Sequence, residues 1–268
     1  MRGYVGPAGA QIHYRASGTG GPALVLFHES PQASNVFEPA LPALGRSLRA
    51  YALDTPGYGL SDPPAGTPEI PDYARLLLDA VDALGIGRFA VAGQHTGASL
   101  ALAVAHLAEP GRVTHAILSG LVLDRAERER LGASWAPDKP IDPAGGHLRE
   151  LWARYLDIWE GPPALVNLAV ANIAAVFERY NWAYRAAFRY DPTEPLRTVP
   201  CPVLLLTAER DMLAGGDALA REIRPDATAV RLTDTTGQLP WRVPEEFAAV
   251  VSSFVTGREP GADRVGAR

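Results

Sequence analysis

The sequence predicts an α/β protein: a mostly parallel, doubly wound sheet with helices on both faces and a helical segment inserted late in the chain. Three observations predict it. Strand-like and helix-like patterns alternate along the 268 residues, as successive βαβ units require. Residues 23–27 are an unbroken apolar run, Ala-Leu-Val-Leu-Phe, the pattern of a strand covered on both faces. Residues 124–195 hold no good strand candidate and are rich in Trp, Tyr and Phe.

Along the chain, residues 11–16 read as an early strand and 23–27 as a central one. A helix is expected over 35–47. Residues 50–53 form the next strand, followed by the turn Asp54-Thr55-Pro56-Gly57-Tyr58-Gly59. Residues 71–84 carry apolar side chains at helical spacing, with Gly85 as their stop. A strand over 89–92, a helix over 97–108 and a strand over 113–118 follow. The last two strands fall at 202–206 and 229–232, and an amphipathic helix at 244–255 closes the fold. The polar tail 257–268 is expected to fray. The core is thus assigned to 1–123 and 196–268. Residues 124–195 form a helical cap over the C-terminal edge of the sheet, where an open α/β sheet has its ligand crevice. Most of the cap aromatics are expected to pack it onto the core, and a pocket beneath inherits their apolar lining.

Composition narrows the function classes. Hydrophobic residues at 47% and charged residues at 21% are ordinary for a soluble globular chain, and this length buries a core without staples. A net charge of −5, with no clustered basic residues, argues against nucleic-acid binding. No apolar run approaches the roughly 20 residues a membrane span needs, and no apolar signal core follows Met1. A cytoplasmic monomer or homodimer acting on a small molecule is the expectation. Cys201 is the only cysteine, so an internal disulfide is excluded and a buried core thiol expected. No His/Asp/Glu spacing suggests a metal site, and no cofactor is expected.

The chemistry concentrates where the strand at 89–92 meets the following helix, in Gly93-Gln94-His95-Thr96-Gly97. This is the spacing of a Gly-x-Ser-x-Gly nucleophile elbow with His95 at the serine position. The flanking glycines suit a tight turn where larger side chains would collide, and the central residue is driven up into the pocket. The chain here resembles the α/β-hydrolase superfamily, in its single-domain branch with a helical cap. Phe27-His28-Glu29-Ser30-Pro31 resembles the oxyanion loop. Residues 54–62 resemble the Asp-x-Pro-Gly-x-Gly-x-Ser segment, and Thr207-Ala208-Glu209-Arg210-Asp211 the loop bearing the triad acid. Thr236-Gly237-Gln238 stands where the family has Gly-His.

The resemblance implies triad positions at His95, Asp211 and Gln238, of which only the acid is retained. An amide does not titrate near neutral pH, so the ordinary serine route is closed. Ser99 and Ser30 are poor substitutes, one lying inside the helix and the other on the oxyanion loop. Glu29 replaces a small residue of that loop and brings a carboxylate toward the pocket floor. His95 can take and give a proton near neutrality. Asp211 is left to orient Gln238 or the cap. The backbone N–H groups of Ser30 and Thr96 are expected to form an oxyanion hole, and His28, Gln94, Trp135, Trp152, Trp159 and Trp182 to contact an apolar or aromatic substrate. Three activities fit. The first is cofactor-independent acid–base chemistry of a lyase, isomerase or cyclase. The second is a hydrolase in which His95 with Glu29 activates water. The third is a non-catalytic binding protein.

Overall fold

The computed structural model describes residues 1–257. Eight strands form one sheet: β1 Arg2–Val5, β2 Ile12–Ser17, β3 Ala23–Phe27, β4 Arg49–Leu53, β5 Phe89–Gln94, β6 Val113–Ser119, β7 Val203–Ala208 and β8 Thr228–Leu232. Their order is β1-β2-β4-β3-β5-β6-β7-β8. The β1–β2 and β2–β4 pairs are antiparallel, and every pair from β4 to β8 is parallel.

The helices are α1 Leu41–Leu44, α2 Ile70–Ala83, α3 Thr96–Leu107, α4 Arg125–Ser134, α5 Gly146–Trp159, α6 Pro163–Ala175, α7 Trp182–Arg189, α8 Thr193–Thr198, α9 Gly216–Ile223, α10 Leu239–Arg242 and α11 Pro244–Thr256. The apolar run of β3 divides between two cores because successive strand side chains alternate faces. Val25 and Phe27 join the cluster under α2, α3 and the inserted helices. Leu24 and Leu26 join the cluster under α1 and α11. Between β6 and β7 the chain is helical, from α4 to α8, as the absence of a strand pattern over 124–195 implies.

The expected helix over 35–47 does not form. A 3₁₀ turn at Ser34–Phe37 and the four-residue α1 stand there. Pro39 and Pro42 lack the N–H that a continuous helix needs, and each disfavours helical backbone before it. Three further elements had no clear sequence signal. β1 is a four-residue edge strand with little apolar alternation, and α9 and α10 are short. The tail reading lies outside the described residues except for Gly257, whose left-handed backbone ends α11. Cys201 is buried just before β7, and burial pushes its thiol up to about 11. Among the described residues no helix is long and apolar enough to cross a membrane.

Candidate active site

The turn between β5 and α3 is built by steric exclusion. A Cβ on Gly93 would lie 1.9 Å from the Gly97 carbonyl oxygen, and one on Gly97 would lie 2.1 Å from that of Phe27. Only glycine fits at either place. His95 between them has φ 50° and ψ −114°, a sparsely populated conformation that persists only where its surroundings impose it. Its N–H is held by the Ser119 carbonyl at 2.7 Å. The imidazole lies against Gly120, where a Cβ would come within 2.4 Å of its Cδ2.

Both ring nitrogens of His95 meet carboxylates. Nδ1 is 3.1 Å from Glu29 Oε2, and Nε2 is 2.9 Å from Asp211 Oδ2. Ionised carboxylates facing both nitrogens match two N–H donors, so this geometry favours the imidazolium. Burial alone would lower the His95 pKa; the neighbouring Asp211 and Glu29 outweigh it and hold the group well above the usual histidine range. Burial would likewise raise Asp211, but the His95 imidazolium keeps that carboxyl below its ordinary value. Asp211 also accepts the Leu213 N–H at 2.8 Å. Its partner is therefore His95, rather than Gln238 or the cap. Gln238 instead donates Nε2 to both Glu29 oxygens, at 3.2 and 3.4 Å. A Cβ at Gly237 would crowd Asp211 Oδ2 at 2.8 Å.

Glu29 is steered by the residue before it. His28 Nε2 accepts the Thr55 N–H at 2.9 Å, which leaves its Nδ1–H to donate to the Glu29 carbonyl at 2.9 Å. Burial lowers the His28 pKa, in keeping with that neutral tautomer. The adjoining loop is anchored by Asp54, which pairs with His13 at 2.8 Å and accepts the Leu60 N–H at 2.9 Å. Burial pulls Asp54 upward, yet hydrogen bonds from His13, the Leu60 N–H and the Ser34 N–H bring it down to about 2. Gly59 is required there, because its φ is +57° and a Cβ would meet the Asp54 carboxylate at 2.3 Å.

Glu29, His95, Thr96, Ser99, Asp211 and Gln238 form the floor of a cavity of about 100 Å³, roofed by Leu131, Trp135, Tyr155, Ile158, Trp159, Tyr184 and Phe188. At the liquid share of about 30 Å³ per water that space takes roughly three waters, the scale of a small organic molecule. Several sequence expectations fall outside its wall. His28 is fully buried as the loop pin just described. Gln94 turns to a separate small void near Phe247. Trp152 packs on the apolar core, and Trp182 is half-buried at the start of α7. Ser30 is buried outside the wall, its hydroxyl without a partner. The corresponding gains are Tyr155, Tyr184 and Phe188 in the roof. Their aromatic character was visible in the sequence, but their direction depends on how α5 and α7 cross.

Residues 22–134 match the family model described as alpha/beta hydrolase fold. With the sheet order, the match shows an α/β-hydrolase fold. Haloalkane dehalogenase 2 of Mycobacterium tuberculosis (strain ATCC 25618 / H37Rv) is 38% identical over 96 residues, 35% of this chain and 33% of that protein. A 2-hydroxy-6-oxononadienedioate/2-hydroxy-6-oxononatrienedioate hydrolase of Burkholderia vietnamiensis is 38% identical over 115 residues, 41% of this chain and 40% of that protein. The chain thus spans one third to two fifths of the length of these curated relatives. The crystal structure of E-2-(acetamidomethylene)succinate hydrolase superposes with a TM-score of 0.78 at 22% identity, over 96% of this chain and 99% of that one.

Proposed function

We propose that the protein is a hydrolase of small, largely apolar molecules in which a Glu29–His95 pair, backed by Asp211, activates water in place of a serine–histidine pair. The observation that carries this reading is the elbow imidazole held between two carboxylates on the floor of a roofed cavity. The names of the matched relatives, a haloalkane dehalogenase and a hydrolase, support it. Both nitrogens of His95 are occupied, so the lone pair that meets water belongs to Glu29. Glu29 takes a proton from water as oxygen attacks the substrate, then returns it to the leaving group, so that one water is added per turnover. The imidazolium stabilises the charge that builds beside it, and Asp211 keeps it protonated. Thr96 offers a helix-start N–H, which has no intrahelical acceptor.

A second reading is acid–base chemistry without net addition of water, as in a lyase, isomerase or cyclase. It is favoured by the same absence of a free imidazole lone pair. Single turnover in ¹⁸O-water over a panel of short esters, haloalkanes and unsaturated diketones separates the two. Hydrolysis by direct water attack puts one solvent oxygen into product in the first turnover and none into Glu29. Product without solvent oxygen assigns the second reading. Turnover undiminished in His95→Ala removes both.

A further inference from the structure

The cavity roof holds a pair of phenols that the water-activating machinery does not use. Tyr155 and Tyr184 both line it, and their hydroxyl oxygens are 3.5 Å apart. The Trp135 indole N–H also donates to the Tyr184 hydroxyl, a contact that uses neither phenolic proton. A phenol supplies one O–H donor, so two hydroxyls bring two protons, and the contact between them uses at most one. Whichever tyrosine donates to the other, one O–H has no protein acceptor and must find its acceptor in the cavity. No hydrogen bond joins either phenol to Glu29, whose oxygens accept from Gln238 and lie beside His95.

The phenols are also held in place. Tyr155 packs edge-on against Trp159 with ring centroids 4.8 Å apart. Tyr184 stacks on Phe188 with an interplanar angle of 5° and meets the edge of Trp135. Trp135 is in turn covered by the Arg154 guanidinium at 4.6 Å. Donors fixed in advance along a cavity wall suit an oxygen that gains negative charge. Of the two residues expected to offer backbone N–H groups, Thr96 lines the cavity and Ser30 is not among its lining residues.

We propose that Tyr155 and Tyr184 form a carbonyl-binding subsite, and that the substrate is a small neutral aromatic or unsaturated carbonyl compound whose oxygen turns to the cap while its carbonyl carbon faces Glu29. This substrate class rests on the proposed function for the identity of the reacting cavity, but its test reads binding and not turnover. The probes are acetophenone and α-methylstyrene, which share shape and differ in whether oxygen or CH₂ occupies the acceptor position. Affinity is followed by fluorescence of Trp135 and Trp159, and hydrogen bonding by the carbonyl ¹³C resonance of labelled acetophenone.

The wild-type protein is expected to prefer acetophenone by about tenfold, as one well-made hydrogen bond gives, with the bound carbonyl resonance shifted downfield. Tyr155→Phe and Tyr184→Phe each reduce the preference, and the double variant abolishes it while still binding α-methylstyrene as tightly as wild type does. His95→Ala retains the preference, so loss of turnover in that variant speaks only to the proposed reaction. Equal affinity for the two probes in wild type, binding of neither, or a preference that survives in the double phenylalanine variant overturns the proposal.

Discussion

Replacing Asp211 with asparagine tests whether His95 is an imidazolium. The Asp211 side chain is 1% exposed and that of His95 15%, so their attraction is weakly screened. Removing one partner of a buried ion pair costs about 3–5 kcal/mol. Glu29 remains on the other nitrogen, which places Asp211→Asn at the lower end, about 3 kcal/mol. For a chain of this size that lowers Tm by about 6–12 °C. The pH dependence follows from the two shifts. His95 is raised, so its pairing stabilises the fold fully below the unfolded value of 6.5 and the benefit is lost as pH rises through the higher folded value. Asp211 is lowered, so its contribution is present above 3.8 and lost as pH falls through the folded value. The gap in Tm between wild type and variant should be flat from about pH 5 to 6.5 and close as pH rises further. Calorimetry across pH measures it, and ¹⁵N chemical shifts of the imidazole read protonation directly. A neutral His95 at pH 7 in wild type, or a Tm change under 2 °C at pH 6, would refute the reasoning.

Gly120→Ala should displace the His95 ring, because its Cβ would sit 2.4 Å from Cδ2 at a backbone φ of +73°. We expect a cost of about 1–3 kcal/mol and loss of the downfield imidazole N–H resonances. The protein should be inert to fluorophosphonate probes, since the elbow presents an imidazole and Ser99 lies in the first turn of α3; mass spectrometry showing stoichiometric labelling of Ser99 or Ser30 would contradict this. Asp54→Asn should lower stability at pH 7 by about 2 kcal/mol. The depressed pKa of about 2 makes that contribution present above pH 3.8 and lost as pH falls through 2, so acid-unfolding curves of variant and wild type should converge there.

Much of the architecture was legible because it rests on local chemistry. The apolar run at 23–27, the strand-turn-helix around Gly93 and Gly97 and the helical spacing of 71–84 each report a constraint that neighbouring residues impose on one another. The strand-free aromatic stretch 124–195 announced helices for the same reason. Pro39 and Pro42 are equally visible, and their missing N–H groups override the apolar pattern over 35–47.

The site divides differently. Sequence alone showed a histidine between Gly93 and Gly97, and resemblance led to the expectation that Gln238, Glu29 and Asp211 gather with it at one end of the sheet. It did not determine which acid meets which nitrogen. That pairing joins positions 66 and 116 residues apart, and it is set by the height of β3, β5 and β7 at one sheet edge and by the space left over Gly120. Gln238 turning to Glu29, Trp152 turning to the core and the meeting of Tyr155 with Tyr184 are decided the same way. A residue's type limits the chemistry it can perform, but its partner is fixed by helix crossings and loop closures that no local pattern encodes.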